Sequence, residues 1–116
     1  MKNYSHEWKN YPLEERCVIL EKFAEELEAN FKKIIEVCVK ETGKTIKNSI
    51  AEIREAIDFC RYYSMQARKI FKESFLEGPT GEKNTYKLVG KGLTFAISPW
   101  NFPVAIFIGQ IVAALV

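Results

Sequence analysis

From Gly92 to Val116 the chain carries no ionisable side chain at all, and residues 1–91 hold every one of its 17 Lys and Arg and 15 Asp and Glu. A stretch so empty of charge must be buried against something. Cysteine is also sparse. Cys17, Cys38 and Cys60 lie far apart, odd in number and without a CxxC pair. This spacing speaks against a disulfide framework or a zinc site. The sequence has one histidine, His6. Alone near a terminus, it reads as a surface residue, not as a ligand or base. Net charge is only +2, with basic residues interleaved among Glu, so no basic stripe points to nucleic acid or to a polybasic membrane contact. Met1 to Pro12 lacks the apolar core of a signal peptide, which makes a reduced, cytoplasmic setting the expectation. No internal repeat or low-complexity tract is present. What remains is 116 residues, 47% hydrophobic and 28% charged, enough for one modest domain.

The apolar residues that are there fall into helical order. Leu13, Cys17, Leu20, Ala24, Leu27 and Phe31 recur at steps of three and four, and the stripe continues through Ile34, Ile35 and Cys38 after a break near Asn30. Pro12 suits the opening of this helix, and Gly43 suits its end. Glu28 with Lys32 and Glu36 with Lys40 are spaced as favourable pairs on the wet side. A second long helix is expected from Ile46 to Phe71, with Ile46, Ile50, Ile53, Ile57, Cys60, Ala67 and Phe71 inward and Glu52, Arg54, Glu55, Asp58 and Arg61 outward. The three cysteines lie on these apolar faces as small buried hydrophobes. Phe59, Tyr62, Tyr63 and Phe71 have the spacing of core packing. The turn cluster at Gly78-Pro79-Thr80-Gly81 ends the helical part. Thr85 to Val89 then reads as a strand, Leu93 to Ile97 as a buried strand, and Val104 to Val116 as a buried helix.

Two motifs have better explanations than their first appearance suggests. Gly43-Lys44-Thr45 has the look of a phosphate-binding loop, but the full pattern needs glycine where Cys38 stands, and helix precedes it where a strand is required. The uncharged 92–116 stretch is interrupted by Pro99, Asn101, Pro103, Gly109 and Gln110. It leaves an apolar run of about fourteen residues, which suits a core helix better than a bilayer span.

The most informative segment is Ile97-Ser98-Pro99-Trp100-Asn101-Phe102-Pro103, between the second expected strand and the last helix. Its prolines fix φ and push Ser98 and Phe102 toward extended backbone. A stiff turn presenting one amide, Asn101, suits the stabilisation of an oxyanion; it also suits a rigid loop that plugs a core.

This segment resembles the Pro-Trp-Asn-Phe-Pro signature of the NAD(P)-dependent aldehyde dehydrogenases. Glu52 to Ala67 (EIREAIDFCRYYSMQA), Gly78 to Asn84 (GPTGEKN) and the run ISPWNFPVAIFIGQIVAAL are together similar to the 1-pyrroline-5-carboxylate (L-glutamate γ-semialdehyde) dehydrogenase branch, as found in bifunctional proline utilization A. The likeness runs from about Tyr11 to Val116. It implies a fragmentary α/β fold. Residues 12–76 would be its helical part, 85–89 part of an oligomerisation flap, and 93–116 the first β–loop–α element of an NAD-binding domain. It also implies a chemistry: a cysteine thiolate attacks the aldehyde, a backbone N–H and an asparagine amide hold the oxyanion, hydride passes to NAD, and a glutamate activates water to release the acid. Asn101 matches the oxyanion donor. Ile97, Ser98, Pro99 and Trp100 match the NAD-lining stretch, and Phe102 matches the wall of the aldehyde tunnel. No metal is implied, and the parent enzyme would be a homo-oligomer acting on a small aldehyde.

In the family the nucleophilic Cys, the glutamate base and the rest of the cofactor site lie well beyond residue 116, and none of the three cysteines here sits in the nucleophile's motif. The last helix ends at Leu115-Val116 without glycine, polar cap or basic residue, so its final carbonyls are expected to go unserved. With Met1 at the start and no proline dehydrogenase segment before it, the chain reads as a cut piece, inactive alone. The competing reading is a helical interaction module that pairs with a separately encoded remainder, since the 92–116 segment would otherwise expose apolar surface.

Overall fold

The apolar stripes become helices arranged around one long central helix. The structure is a computed structural model that describes residues 2–116, and the side chains of all of these except Lys2, Asn3, Ser5 and His6, so the expectation for His6 lies outside the described side chains. The elements are α1 (Lys2–Lys9), α2 (Leu13–Ala29), α3 (Phe31–Thr42), α4 (Ile46–Ile70), β1 (Ser74–Leu76), β2 (Asn84–Tyr86) and α5 (Ala105–Leu115). The break at Asn30 divides α2 from α3; Asn30 N–H reaches back to the Glu26 carbonyl. Gly43 ends α3 at φ 69°, a left-handed conformation that glycine takes without a Cβ penalty. Two residues later the Thr45 hydroxyl accepts the Asn48 N–H and caps α4.

The core is built where α4 meets α2 on one side and α5 on the other. Leu20, Ala24 and Leu27 of α2, Ile53, Ala56, Ile57 and Cys60 of α4, and Ile108 and Val112 of α5 form one buried cluster. Two close approaches let the helices come together. Ser64 and Cys17 exchange contacts at 3.4 and 3.5 Å between their side chains and each other's backbone carbonyls. Gly109 leaves room for the Phe59 ring, whose edge would lie 2.9 Å from a Cβ placed there. Outside the core, Arg68 of α4 grips Glu14 and Glu21 of α2, and Arg61 grips Glu28. These guanidinium partners hold the Glu14 and Glu28 carboxyls below the usual carboxylate range. All three cysteines are free and buried, as expected.

The fold class is the expected one, mostly helical with two strands and a final helix, but the strands fall elsewhere. β1 and β2 form an antiparallel ribbon in which Phe75 faces Thr85 and Leu76 faces Asn84. The strand expected over Thr85–Val89 is thus Asn84–Tyr86, and its partner comes from the end of the 12–76 segment, expected to be helical. Leu93–Ile97 is not a strand. It is extended, irregular backbone with Leu93, Phe95 and Ile97 exposed, because no neighbouring strand among the described residues offers it a ladder. Ile46, expected inward, is exposed in the first turn of α4. Glu36 pairs with Lys40 as its spacing suggests, whereas Glu28 turns to Arg61 instead of Lys32. Two of the carbonyls at the end of α5, expected to go unserved, have donors: Trp8 Nε1 donates to Leu115 O at 2.8 Å, and Arg16 Nη1 to Val116 O at 2.9 Å.

Candidate functional site

The turn at residues 100–104 delivers the chain into α5, and its first problem is electrostatic. The opening of α5 has no acidic residue, and Val104, at its N-cap, has no polar side chain to receive the first free N–H groups. The missing acceptor comes from α4. Glu52 Oε1 accepts from Val104 N at 2.8 Å and from Ala105 N at 3.2 Å. A carboxylate at a helix N-terminus also meets the positive end of the helix dipole. Glu52 is 1% exposed, so its charge needs a partner, and Lys44 supplies one through Glu52 Oε2.

Lys44 has a second task. Its Nζ donates to the Asn101 backbone carbonyl at 2.9 Å and lies 4.1 Å from the centre of the Phe102 ring, within cation–π range. It can reach both because it is the residue between the glycine that ends α3 and the threonine that caps α4. On the other side of the motif, Gln110 Nε2 of α5 holds the Ile97 carbonyl at 3.0 Å. Lys44, Glu52, Asn101 and Phe102 join Gly43, Glu55 and Trp100 around an open cavity of about 480 Å³.

The residues expected to carry function therefore stand as follows. Asn101 is exposed at this cavity, with its backbone pinned by Lys44. Phe102 lies beside it, 39% exposed. Trp100 and Ile97 are largely exposed, Ser98 is half-buried and Pro99 is exposed. The turn thus brings Trp100, Asn101 and Phe102 to one cavity, which Ile97, Ser98 and Pro99 do not line. The thiols are elsewhere: no cysteine lines the cavity, and burial raises all three, Cys60 to about 11. Such thiols stay protonated and are poor nucleophiles at neutral pH. Among the described residues no group of His, Cys, Asp and Glu is arranged to hold a metal, and no helix is long and apolar enough to cross a membrane.

Sequence reasoning missed Lys44 and Glu52. Glu52, assigned to the wet face, sits on the buried stripe of Ser49, Ile53, Ala56 and Cys60. Two signals could have found it: its place three residues after Ser49 and four before Ala56, and a downstream helix with no acceptor of its own. Lys44 lies in the Gly43-Lys44-Thr45 segment, whose likeness to a phosphate loop masks its role.

The sequence matches the aldehyde dehydrogenase family over residues 1–116. It is 43% identical over 108 residues to the bifunctional protein PutA of Klebsiella aerogenes, covering 93% of this chain and 7% of that protein. It is 38% identical over 109 residues to the 1-pyrroline-5-carboxylate dehydrogenase of Bacillus subtilis, covering 94% of this chain and 21% of that one. A crystal structure of bifunctional proline utilization A superposes with a TM-score of 0.93 at 46% identity, over 96% of this chain and 11% of the other. The chain thus spans between about a fourteenth and a fifth of the length of the curated relatives it matches. Matched along its whole length in sequence and at high identity in fold, the chain belongs to the aldehyde dehydrogenase family.

Proposed function

We propose that this chain is a segment of an NAD-dependent L-glutamate γ-semialdehyde (1-pyrroline-5-carboxylate) dehydrogenase of proline catabolism, and that Asn101 is its oxyanion donor. The observation that carries the reading is the exposed amide of Asn101 on a turn whose backbone is held by Lys44. A fixed donor costs no reorganisation when charge develops on the aldehyde oxygen. Phe102, one face against Lys44, would form part of the wall beside the aldehyde chain. The residues present fit one side of a dinucleotide: Ile97, Pro99 and Trp100 offer exposed, uncharged surface, with the half-buried Ser98 among them. NAD, when bound, supplies the two-electron oxidant, and NAD over NADP is part of the proposal, as are a cytoplasmic setting and a homo-oligomeric complete enzyme. The β1–β2 ribbon, projecting with most of its residues exposed, would belong to the assembly flap.

The isolated 116 residues are expected to show no semialdehyde oxidation at any NAD concentration, because the buried, protonated thiols offer no nucleophile at the Asn101 cavity. The decisive experiment is a chimera in which residues 1–116 replace the matching segment of the Bacillus subtilis 1-pyrroline-5-carboxylate dehydrogenase. The chimera should oxidise glutamate semialdehyde with NAD, and Asn101→Ala should lower its kcat by about two to three powers of ten while NAD still binds. An unchanged kcat removes Asn101 from the oxyanion role; turnover by the isolated chain removes the idea that it needs a remainder.

A second reading is favoured by the exposed run of Leu93, Phe95 and Ile97. The chain would act as a helical module that pairs with a separately encoded remainder, and co-purification of the two pieces tests it.

A further inference from the structure

We propose that Lys44 and Glu52 are positioning residues for the Asn101 turn, which they hold from two sides: Glu52 fixes the start of α5 and Lys44 fixes the carbonyl of Asn101 itself. The inference rests on the reading of Asn101 as oxyanion donor and goes beyond it, since neither side chain presents its own polar atoms as that donor.

Three observations converge. Glu52 is a buried carboxylate whose two oxygens divide their work, Oε1 to the Val104 and Ala105 N–H groups and Oε2 to Lys44. Lys44 uses its remaining reach for Asn101 O and the Phe102 ring. Asn101 lies between these anchors, three residues before Val104, whose N–H begins the contacts with Glu52. Both ends of the short Asn101–Ala105 arc are therefore tied to the same ion pair. If the pair loosens, the arc, stiffened by its prolines, can shift as a unit and carry the Asn101 amide away from the developing charge. A displacement of about 1 Å in such a donor can cost about a hundredfold in rate. An ordinary α4–α5 packing contact would not predict this coupling, because it would weaken stability without singling out the step that Asn101 serves.

The test is a double-mutant cycle in the chimera. Glu52→Gln keeps an acceptor for the α5 N–H groups and removes the charge that holds Lys44; Lys44→Met keeps the length and removes the ammonium. Each should lower kcat by about tenfold to a hundredfold with the KM for NAD little changed, and Lys44→Arg should restore most of the loss. In the Asn101→Ala background, Lys44→Met should add little further loss, because the donor it positions is gone. Folded Lys44→Met and Glu52→Gln variants with unimpaired kcat, or losses that multiply in full with that of Asn101→Ala, overturn the proposal. If neither variant folds, the pair is a determinant of the fold and the proposal is likewise overturned. A normal kcat for Asn101→Ala alone would instead overturn the functional reading beneath it, so the two failures are distinguishable.

Discussion

Cys60 illustrates how burial alone can decide a residue's chemistry. It is fully enclosed between α4 and its neighbours, and loss of solvation pushes its thiol from an ordinary 9.0 to about 11. Because the folded state favours the protonated thiol, this contribution to stability is complete below pH 9 and is lost as pH rises through about 11. Chemical unfolding followed from pH 8 to 11 should show a declining midpoint over that window, and thiol reagents at pH 8 should label the folded chain slowly and the denatured chain at Cys17, Cys38 and Cys60 alike. Fast labelling of the folded chain would contradict the burial. The position of these cysteines was legible in the sequence because small apolar residues on a helical stripe have few other places to go. Glu52 was not legible in the same way. A carboxylate on a stripe looks like an outward residue until the element that needs its charge is in place, and that element lies more than fifty residues away.

At the scale of elements, helix existence follows from periodicity, and helix packing from details that periodicity does not contain. The four longer helices stand close to where three- and four-residue spacing places them. Strands are harder, since a ladder needs a partner and the partner is chosen by the fold. The apolar run of Leu93–Ile97 has strand composition and no neighbour, while Ser74–Leu76 gains strand geometry from a hairpin return. The contact between α4 and α5 shows the same dependence. In the interior of a helix, glycine gives up about 1 kcal/mol relative to alanine, yet alanine at position 109 would set its Cβ 2.9 Å from the Phe59 ring. Gly109→Ala should therefore lower the unfolding midpoint in spite of the better helix former, and Phe59→Leu in the same chain should recover part of the loss. A stabilised Gly109→Ala single variant would show that the ring moves aside freely.

For the molecule as a whole, shape and composition tell one story. The radius of gyration is 18.0 Å with extents of 64 × 28 × 22 Å, whereas a compact chain of this length would have a radius near 13 Å, roughly. Helical packing accounts for one end, and the ribbon and the irregular run to Phe102 extend from it. Along that run Leu93 is 73% and Phe95 88% exposed. Apolar surface of this kind marks an interface or an aggregation liability. The isolated chain should bind a hydrophobic dye and self-associate at micromolar concentration by light scattering, and the chimera should do neither to the same degree. A monodisperse, dye-silent chain would mean that this run folds back by itself. Composition announced this region through its lack of charge; its exposure was not legible, because which residues cover a run is decided by packing, and none of the described residues covers Leu93, Phe95 or Ile97.

The ties from α1 and α2 to the end of α5 have a consequence in time. Trp8 reaches Leu115 and Arg16 reaches Val116, closing loops of 107 and 100 residues. Contacts between positions so distant in sequence form late, since the intervening chain must first be brought to order. As the polypeptide leaves the ribosome, α2, α3 and α4 can associate while α1 waits for α5 to be synthesised. Within these residues the indole of Trp8 is placed to report the docking of α1 on α5, and a Trp100→Phe background would isolate its emission.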